Sequence, residues 1–346
     1  MDSGTSETSA KPARVLIVED NPDQAHLLER WLSNRANYEV VIAWDGLTGA
    51  RLAKEGGFDL VLSDIELPGC NGLEVLRASK AAWPDIPALL LTAHSSIDYA
   101  VAALRGKADE LLFKPLVRDE VLSKADAMIT AARKRRESRP VVLAIGAHFD
   151  DVEIGVGGSL LRHAASGHKV VVLVLTDSSI GGNPEQRLKE GLEACARMGA
   201  VLETAGLPDT RMTDGFETIS AISAVIRRHS PTILYTHTEN DVHQDHRHAA
   251  RASLVAGRTV PNVYCYQTPS TTTSFVPSCF VDIDAHVDRK IELLAAFQSQ
   301  AGRPYLAPDM VRASARYWGR FSNYHHVEAL EVVRAAGGVF AEQQAS

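Results

Sequence analysis

The chain has 346 residues, of which 45% are apolar and 23% are charged, and its formal net charge is −7. This length allows about two domains, each with its own core, and the composition is ordinary for a soluble globular protein. The acidic balance argues against a general nucleic-acid or membrane-surface binder. No apolar run approaches the ~20 residues that a transmembrane helix needs, so we expect no transmembrane segment.

The two ends of the chain and its cysteines indicate a protein of the cytoplasm. Residues 1–12 are small and polar, without the apolar stretch of a signal peptide, and predict a disordered tail, and residues 337–346 are assigned to a C-terminal tail. The cysteines form no CxxC pair and no zinc-ribbon spacing, so we expect reduced thiols and a cytoplasmic localisation. A Cys265–Cys279 bridge is an alternative that nothing in the sequence demands. The four cysteines are Cys70, Cys195, Cys265 and Cys279.

Residues 14–136 alternate between strand and helix patterns five times. The strand candidates are short apolar runs separated by amphipathic segments of helix length, a pattern that predicts a parallel sheet covered on both faces. We assign residues 13–132 to this flavodoxin-like domain and residues 133–139 to a helix end and linker, because Pro140 disfavours helical geometry in the residue before it. The predicted strands are residues 14–18, 38–43, 58–63, 87–91 and 109–113.

The alternation restarts at Pro140 and predicts a second doubly wound unit, which is Rossmann-like. In such units ligands gather at the carboxyl ends of the strands. The predicted fold class is therefore α/β, with two tandem doubly wound domains at residues 13–132 and 140–336. Strands are predicted at 141–146, 169–175, 201–206 and 232–236, helices near 157–166, 185–198 and 216–229, two further strands within 262–268 and 278–284, and a helix within 286–300.

Polar side chains follow the predicted strands of the first domain at the points where those strands end. Glu19 and Asp20 come after the first strand, and Asp64 comes after the third. Thr92 ends the fourth strand, and Lys114 follows the fifth. Since the carboxyl ends of parallel strands meet at one edge of the sheet, we expect an acidic pocket there. Such a pocket suits Mg²⁺ together with phosphate oxygens, and one carboxylate can act as nucleophile toward a phosphoryl group.

Short motifs in this domain resemble those of the receiver domains of two-component response regulators. The motifs are "VED", "LSDIELPGCNG", "LTA" and "FKP", in this order. The resemblance implies Asp64 as the phosphoacceptor and Glu19, Asp20 and Asp64 as the magnesium site. It implies Thr92 and Lys114 as sensors of the phosphoryl group. A sensor histidine kinase or a phosphotransfer protein is the implied partner, together with a homodimer formed through the receiver.

One position departs from the receiver pattern. Such domains usually carry an aromatic switch residue where this chain has Leu111. We therefore expect phosphorylation at Asp64 without the usual aromatic coupling to Thr92. The alternative is a degenerate receiver that is kept as a dimerisation module.

Histidines and aspartates follow two predicted strands of the second domain. Because strand ends meet at one edge of the sheet, the two groups can converge on a single metal ion. Mixed histidine and carboxylate ligation with an open position suits catalytic Zn²⁺, which lowers the pKa of water to about 7, and a spare carboxylate is then a natural general base. The glycines of "GVGGS" lack a Walker lysine, so we expect them to permit close helix–strand packing. The two groups are His148, Asp150 and Asp151, and His243, Asp245 and His246.

The stretches "AHFDDVEIGVGGSLL" and "HQDH" resemble the metal motifs of the PIG-L/LmbE-like zinc-dependent N-deacetylases. Further matches are "LVLTDSSIGGNPEQRLKEGLEACARMGA", "GLPD" and "HHVEALEVV", so the likeness extends over most of the second domain. The resemblance implies His148, Asp151 and His246 as zinc ligands. It implies Asp150 as the general base, and His243 as the residue that polarises the amide carbonyl and stabilises the oxyanion.

The same resemblance implies roles for residues around the metal. Arg187 and Asp209 are implied as sugar contacts, and Asp245 as a carboxylate that orients a neighbouring histidine. Two positions depart from the family pattern, because Phe149 and Gln244 stand where proline is frequent. Neither change removes a ligand, so we expect an altered loop shape and intact chemistry.

These patterns lead to one principal hypothesis and two alternatives. We predict a response regulator whose output is an enzyme: a zinc-dependent hydrolase that removes the N-acetyl group from an N-acetylglucosamine-type sugar or conjugate, regulated by phosphorylation of Asp64. One alternative is a phospho-regulated module on the same fold that binds a glycan or a partner without turnover. The other alternative is a hydrolase of another amide or of an ester.

Overall fold

The computed structural model describes residues 12–34, 37–93 and 108–336. The chain divides into two compact units between Ser138 and Arg139. Within the described ranges no helix combines the length and the apolar character that a membrane crossing needs. The predicted tails, residues 1–12 and 337–346, lie outside the described residues except for Pro12.

The first unit is a five-stranded parallel sheet. Its elements are β1 (Ala13–Val18), α1 (Pro22–Ser33), β2 (Tyr38–Ala43), α2 (Gly46–Glu55), β3 (Leu60–Asp64), α3 (Gly72–Ala82), β4 (Ala88–Thr92), β5 (Glu110–Phe113) and α4 (Arg118–Glu137). The strand order is β2–β1–β3–β4–β5, and each neighbouring pair is parallel. This is the flavodoxin-like order, which the sequence predicted.

Strand β1 explains how the sheet of this unit is covered on both faces. Successive side chains of a strand point to opposite faces. Val15 and Ile17 pack into one core with residues of α1 and α4, whereas Leu16 and Val18 pack into a second core with residues of α2 and α3. Because both faces of the sheet are covered by helices, the polar side chains of the sheet gather at the strand ends.

The second unit is a larger mixed α/β layer. Its elements are β6 (Val141–Gly146), α5 (Asp151–Ala165), β7 (Lys169–Thr176), α6 (Pro184–Met198), β8 (Val201–Leu207), α7 (Phe216–His229), β9 (Ile233–His237), α8 (Gln244–Ala256), β10 (Asn262–Tyr266), β11 (Cys279–Asp282), α9 (Val287–Leu294), α10 (Pro308–Gly319) and β12 (Val327–Ala335). Helix α10 and strand β12 were not predicted from the sequence. No range was predicted for helix α8, and the remaining helices and strands lie at or overlap their predicted positions.

The sheet of this unit has the order β11–β12–β10–β9–β6–β7–β8. The strands from β10 to β8 are parallel, and β12 runs antiparallel to both β10 and β11. Because β6 and β9 are neighbours, their carboxyl ends bring the two predicted His/Asp groups to the same edge. All four cysteines are free thiols, so the alternative of a Cys265–Cys279 bridge is excluded.

Helix α5 differs from its prediction at its start and in its middle. It begins at Asp151, not near residue 157, and it is kinked at Val156, where φ is −134° and ψ is 16°. The early start includes glycines, whose low helix propensity argued against it in the sequence, but tertiary packing overrides that preference. A Cβ atom at Gly155 would overlap the ring of Tyr266. The prediction that these glycines permit close packing is therefore confirmed.

The kink in α5 is stabilised by a buried carboxylate from β12. The N–H groups of Gly158 and Ser159 donate to Glu328 at 2.8 and 2.6 Å. Lys290 of α9 neutralises this carboxylate, with its Nζ atom 2.6 Å from Oε1 of Glu328. The N–H groups that the kink leaves without a helical acceptor are thereby satisfied, as buried polar groups require.

Candidate functional site

The carboxyl ends of β1, β3 and β5 bring the acidic cluster of the first unit together. Lys114 Nζ lies 2.6 Å from Oδ2 of Asp64 and 3.0 Å from Oε2 of Glu19. One oxygen each of Glu19, Asp20 and Asp64 lies within 4.8 Å of the others. Glu19 and Asp64 are buried, whereas Asp20 is exposed. Thr92 is buried at the end of β4, and its carbonyl oxygen accepts a hydrogen bond from the N–H of Lys114 at 2.8 Å.

The electrostatics of this cluster suit a divalent cation. Burial raises the pKa of Glu19, and Lys114 offsets that effect only in part. Burial opposes charge on Lys114, but hydrogen bonds to Asp64 and Glu19 outweigh it and raise the pKa of the ammonium. Three carboxylates and one ammonium leave net negative charge, and oxygen donors are those that Mg²⁺ prefers. The residues present therefore fit a magnesium ion.

The position of the usual aromatic switch is occupied by an aliphatic side chain. Leu111 lies on β5 and packs against a small apolar cluster that includes Ile65 and Leu90. An aromatic ring does occur two residues later on the same face of the strand, where Phe113 is 50% exposed. Leu111 itself cannot provide the ring movement that the resemblance implies for other receivers.

In the second unit, the tip of β6 is fixed to the start of α5. The N–H of Ala147 donates to Nε2 of His237 at 3.0 Å, and its carbonyl oxygen accepts from the hydroxyl of Thr176 at 2.8 Å. Just beyond this tip, Oδ2 of Asp151 accepts a hydrogen bond from the N–H of His148 at 2.7 Å. The first His/Asp group is therefore held by backbone hydrogen bonds on both sides.

Asp150 has a left-handed backbone, with φ 103° and ψ −25°. This conformation is unfavourable for a residue with a Cβ atom and costs on the order of 1–3 kcal/mol. Arg187 holds the side chain, because its Nη2 atom lies 3.2 Å from Oδ1 of Asp150 and also donates to the carbonyl of Phe149. Burial raises the pKa of Asp150 to about 6, and the charge of Arg187 limits that rise. The carboxylate can therefore exchange a proton near neutral pH.

Asp151 lies between the imidazoles of the predicted metal site. Its Oδ2 atom is 3.4 Å from Nδ1 of His148, and its Oδ1 atom is 3.4 Å from Nε2 of His246. Although burial favours the neutral acid, His246 and His237 hold the pKa of Asp151 well below its usual range. One nitrogen each of His148, His243 and His246 also lies within 4.8 Å of the others. Imidazole nitrogens around a carboxylate match the donor set of a catalytic zinc site.

Carboxylates surround His148. Its Nε2 atom lies 3.0 Å from Oδ1 of Asp209 and 3.3 Å from Oδ2 of Asp245. Burial opposes a charge on the ring, but hydrogen bonds to Asp151, Asp209 and Asp245 outweigh burial and raise the pKa of His148 to about 12. The pocket thus strongly favours a cation, a demand that a bound metal ion also meets. With Nε2 directed to two carboxylates, Nδ1 is the nitrogen available as a ligand.

His243 caps the N-terminus of α8, and its ring lies beside those of His148 and His246. Its Nδ1 atom accepts a hydrogen bond from the N–H of Asp245 at 3.3 Å. Its ring stacks on that of His246, with centroids 4.5 Å apart. Burial and then the nearby charges of His246 and His148 lower the pKa of His243, so the ring is neutral. A neutral imidazole that accepts at Nδ1 carries its proton at Nε2, where it is a donor.

Two further residues of this site were not assigned from the sequence. Asp241 has its Oδ2 atom 3.1 Å from Nδ1 of His246, which leaves Nε2 of that ring available on the side of Asp151. His237 is fully buried at the end of β9, stacks on His246 at 4.1 Å, and has its Nε2 atom 3.3 Å from Oδ2 of Asp151. In the sequence, only their positions could have indicated a role: His237 ends an apolar strand, and Asp241 stands five residues before His246.

A cavity of about 550 Å³ opens onto these residues. Arg187 and Asp209, the predicted sugar contacts, both line it, although Asp150 and His148 already contact them. The Nε and Nη1 atoms of Arg187 are buried and have no hydrogen-bond partner among the residues that the structure describes. Because both atoms are enclosed by the protein, a substrate can reach them only if the guanidinium moves.

Comparison with known protein families matches both units of the chain. Residues 15–126 match the response regulator receiver domain, and residues 143–256 match the PIG-L family, described as GlcNAc-PI de-N-acetylase. A curated relative, the uncharacterized deacetylase YaiS from Escherichia coli, is 36% identical over 173 residues, which are 48% of this chain and 90% of YaiS. The chain belongs to the PIG-L family. Its first unit is a response regulator receiver domain, so both predicted resemblances are confirmed.

Two further relatives extend the comparison. The conserved protein TT1542 from Thermus thermophilus is 29% identical to the chain, with a TM-score of 0.50 over 55% of this chain and 93% of that protein. The transcriptional regulatory protein PrrA from Mycobacterium tuberculosis is 34% identical over 156 residues, which are 45% of this chain and only 65% of PrrA. The chain is therefore a receiver fused to a PIG-L deacetylase domain, and the predicted α/β fold class is confirmed.

Proposed function

We propose that the PIG-L domain is a zinc-dependent hydrolase that removes the N-acetyl group from an N-acetylglucosamine-type sugar or conjugate. The observation that carries this proposal is the contrast between two adjacent carboxylates. Asp151 is ionised and shared between two imidazoles, whereas Asp150 faces Arg187 and has a pKa of about 6. One carboxylate can hold a metal while its neighbour moves a proton.

The proposed zinc ligands are His148, Asp151 and His246. When bound, zinc supplies a Lewis acid that polarises the amide carbonyl and lowers the pKa of the attacking water. Asp245 and Asp241 fix the orientations of the two rings, so that Nδ1 of His148 and Nε2 of His246, the nitrogens nearest Asp151, remain for the metal.

Asp150 is the proposed general base. Its carboxylate accepts a proton from water as the water oxygen attacks the carbonyl carbon. The resulting carboxylic acid then gives that proton to the nitrogen as the C–N bond breaks, which releases acetate and an amine. Arg187 keeps the carboxylate ionised at neutral pH and holds it in place.

His243 is proposed to stabilise the oxyanion that forms during this attack. Its Nδ1 atom accepts from the N–H of Asp245, so the proton at Nε2 is available for donation. A donor that meets the oxyanion more closely than the planar amide lowers the barrier, and loss of one such donor typically costs about 10²–10³-fold in rate.

The choice of an N-acetylated amino sugar is supported by the family match, whose description names a GlcNAc-PI de-N-acetylase. A cavity of about 550 Å³ is within the range of small-molecule sites. Arg187 and Asp209 line this cavity, and a guanidinium and a carboxylate can bind sugar hydroxyl groups, which are both donors and acceptors.

In the receiver, Asp64 is the proposed acceptor of a phosphoryl group from a sensor histidine kinase or a phosphotransfer protein. Glu19, Asp20 and Asp64 would hold Mg²⁺. The phosphoryl group adds nearly two negative charges, which the ammonium of Lys114 and the hydroxyl of Thr92 can draw inward. Regulation of the deacetylase by this step, and a homodimer formed through the receiver, complete the proposal.

Acetate release tests the deacetylase proposal. Zinc-loaded full-length protein is given N-acetylglucosamine, its glycosides, an N-acetyl amino acid and a simple acetate ester. We expect acetate from the N-acetyl sugars and at least tenfold less from the other two compounds. Release from the amino acid or the ester alone would assign a different hydrolase. If the zinc-bound protein releases no acetate from any of these compounds, the alternative of a module that binds without turnover is favoured.

A further inference from the structure

Two cavities continue from the catalytic cavity of the PIG-L domain. The first, of about 320 Å³, shares Ile154, Pro269 and Tyr305 with the catalytic cavity as lining residues. The second, of about 540 Å³, shares Trp318 with the first. The three cavities form a series from the proposed zinc ligands to a group of aromatic rings on β11 and α10.

The walls of the two outer cavities are mainly apolar. Leu294 and Val311 line the first, and aromatic rings line the second. The ring of Phe321 lies 5.8 Å from that of Trp318 and 5.7 Å from that of Phe280. Phe321 is nevertheless 54% exposed. Apolar rings that border a cavity and remain open to solvent favour an apolar ligand, because its binding removes their surface from water.

The charged groups of the first cavity are satisfied within the protein. Lys290 Nζ lies 2.6 Å from Oε1 of Glu328 and donates to the carbonyl of Ile154 at 2.7 Å. Thr268, which lines both outer cavities, donates its hydroxyl to Asp241 at 2.8 Å. These charged groups therefore do not demand a charged ligand, and the apolar side chains remain the larger part of the lining.

We infer that the substrate is an N-acetyl amino sugar that carries an apolar aglycone, and that the two outer cavities bind this aglycone. We call these two cavities the aglycone groove. The inference rests on the proposed deacetylase function, because the sugar is placed in the catalytic cavity. Its further support is adjacency: Tyr305 and Pro269 line both the catalytic cavity and the first outer cavity, so a sugar in one and its aglycone in the other would be neighbours.

Two glycosides of N-acetylglucosamine that differ only in the aglycone test the groove. The methyl glycoside ends within the catalytic cavity, whereas the octyl glycoside, used below its critical micelle concentration, reaches the groove. We expect kcat/KM of the zinc-loaded full-length protein to be at least tenfold higher for the octyl glycoside. Equal values of kcat/KM for the two glycosides would overturn the inference.

A filled groove provides the matched comparison. Ser314 lines the first cavity from an exposed position on α10, so Ser314→Trp should reduce the octyl-to-methyl ratio of kcat/KM to near one. Ala313→Trp places the same ring on an adjacent exposed residue that lines none of the three cavities, and it should keep the ratio. A ratio unchanged by Ser314→Trp would also refute the groove.

A binding measurement separates the groove from the deacetylase. Octyl glucoside has no acetamido group, so its binding does not require the deacetylase reaction. Trp318 is the single tryptophan of the PIG-L unit, because the other three, Trp31, Trp44 and Trp83, belong to the receiver. Its fluorescence should change on titration with octyl glucoside, and the change should be lost in Trp318→Phe. That change without acetate release from either glycoside would retain the groove and refute the deacetylase. Acetate release with no change in Trp318 fluorescence and no preference for the octyl glycoside would retain the deacetylase and refute the groove.

Discussion

The guanidinium of Arg187 holds Asp150 at two points, with Nη2 3.2 Å from Oδ1 of the side chain and a hydrogen bond to the carbonyl of Phe149 just before it. Arg187→Met should therefore misplace the proposed base and change the wall of the cavity that Arg187 lines. We expect kcat/KM for N-acetylglucosamine glycosides to fall about 10²-fold, with both a lower kcat and a higher KM, because a misplacement of about 1 Å has a cost of that size. Steady-state kinetics measures both parameters.

The control for this change lies on the same helix. Arg197 is exposed on α6 and pairs with Glu193 at 2.9 Å, so Arg197→Met removes an equal charge far from the chemistry. Its kinetics should match those of the wild type. Normal kcat and KM in Arg187→Met would show that Arg187 positions neither Asp150 nor the substrate.

Asp150→Asn should keep the metal and lose the reaction. The amide retains the shape of the carboxylate but cannot accept a proton, so we expect kcat to fall about 10²–10⁴-fold, the usual contribution of a positioned general base. Zinc content is measured in the same preparation by elemental analysis. Asp214→Asn, at a carboxylate near His248 and outside the catalytic cavity, serves as the control. Near-normal turnover in Asp150→Asn would mean that another residue activates water.

Metal content should follow the proposed ligands. His148→Ala and His246→Ala each remove one ligand and should empty the site, whereas Asp241→Asn should weaken zinc binding about 10–100-fold, because it loosens the orientation of His246. Competition with a chelator measures this affinity. His248→Ala, two residues after His246 on the same helix, should bind zinc normally. Full zinc occupancy in both ligand variants would disprove the assignment.

Asp64 should accept phosphate from a small-molecule phosphodonor in the presence of Mg²⁺, and Asp64→Ala should not. Asp119→Ala changes an exposed carboxylate in the first turn of α4 and should be phosphorylated normally. Because the added charge can change how receiver surfaces pack, we expect the phosphodonor to alter deacetylase kcat/KM in the wild type and not in Asp64→Ala. Identical kinetics for phosphorylated and unphosphorylated protein would contradict this coupling and leave both domain assignments standing.

His163 should make the PIG-L domain sensitive to acid. The ring is fully buried, with Nε2 2.9 Å from the hydroxyl of Tyr235, and burial lowers its pKa well below the usual value. The unfolded chain takes up a proton there near pH 6.5, so its contribution to the free energy of unfolding is complete above that pH. Below it, this free energy should fall by up to about 1.4 kcal/mol per pH unit.

Denaturant unfolding at pH 7.5 and pH 5.5 measures this loss. His163→Gln should reduce the difference between the two free energies of unfolding, whatever its effect at a single pH. His26→Gln, at an exposed position on α1 of the receiver, should leave the difference unchanged. An equal pH dependence in His163→Gln and the wild type would show that this ring does not titrate on unfolding.

The parallel cores of both units could be predicted because their strands are short apolar runs buried on two faces. Strand β12 could not, since Glu328 and Glu331 interrupt its apolar pattern. Both carboxylates are satisfied by distant partners: Lys290 lies 2.6 Å from Glu328, and the hydroxyl of Thr238 lies 2.6 Å from Glu331. Contacts between residues that are distant in the sequence cannot be predicted from a local apolar pattern.

The candidate site divides in the same way. His148 and His246 could be found because they stand at strand ends that a parallel sheet brings together. Asp241 could not be assigned, because its role depends on its 3.1 Å approach to the ring of His246, and in the sequence it is one acidic loop residue among several. The left-handed backbone of Asp150 and its contact with Arg187 likewise could not be predicted, because both arise only in the folded unit.

The kink in α5, the helix that follows β6, is hydrogen-bonded to β12. Glu328, which accepts the hydrogen bond of the Gly158 N–H, lies 170 residues later in the sequence. During synthesis the acceptor of that buried group does not exist until residue 328 has left the ribosome. The receiver unit ends at Ser138 and can fold long before that moment. The receiver can thus complete its fold while the PIG-L domain is still being synthesised.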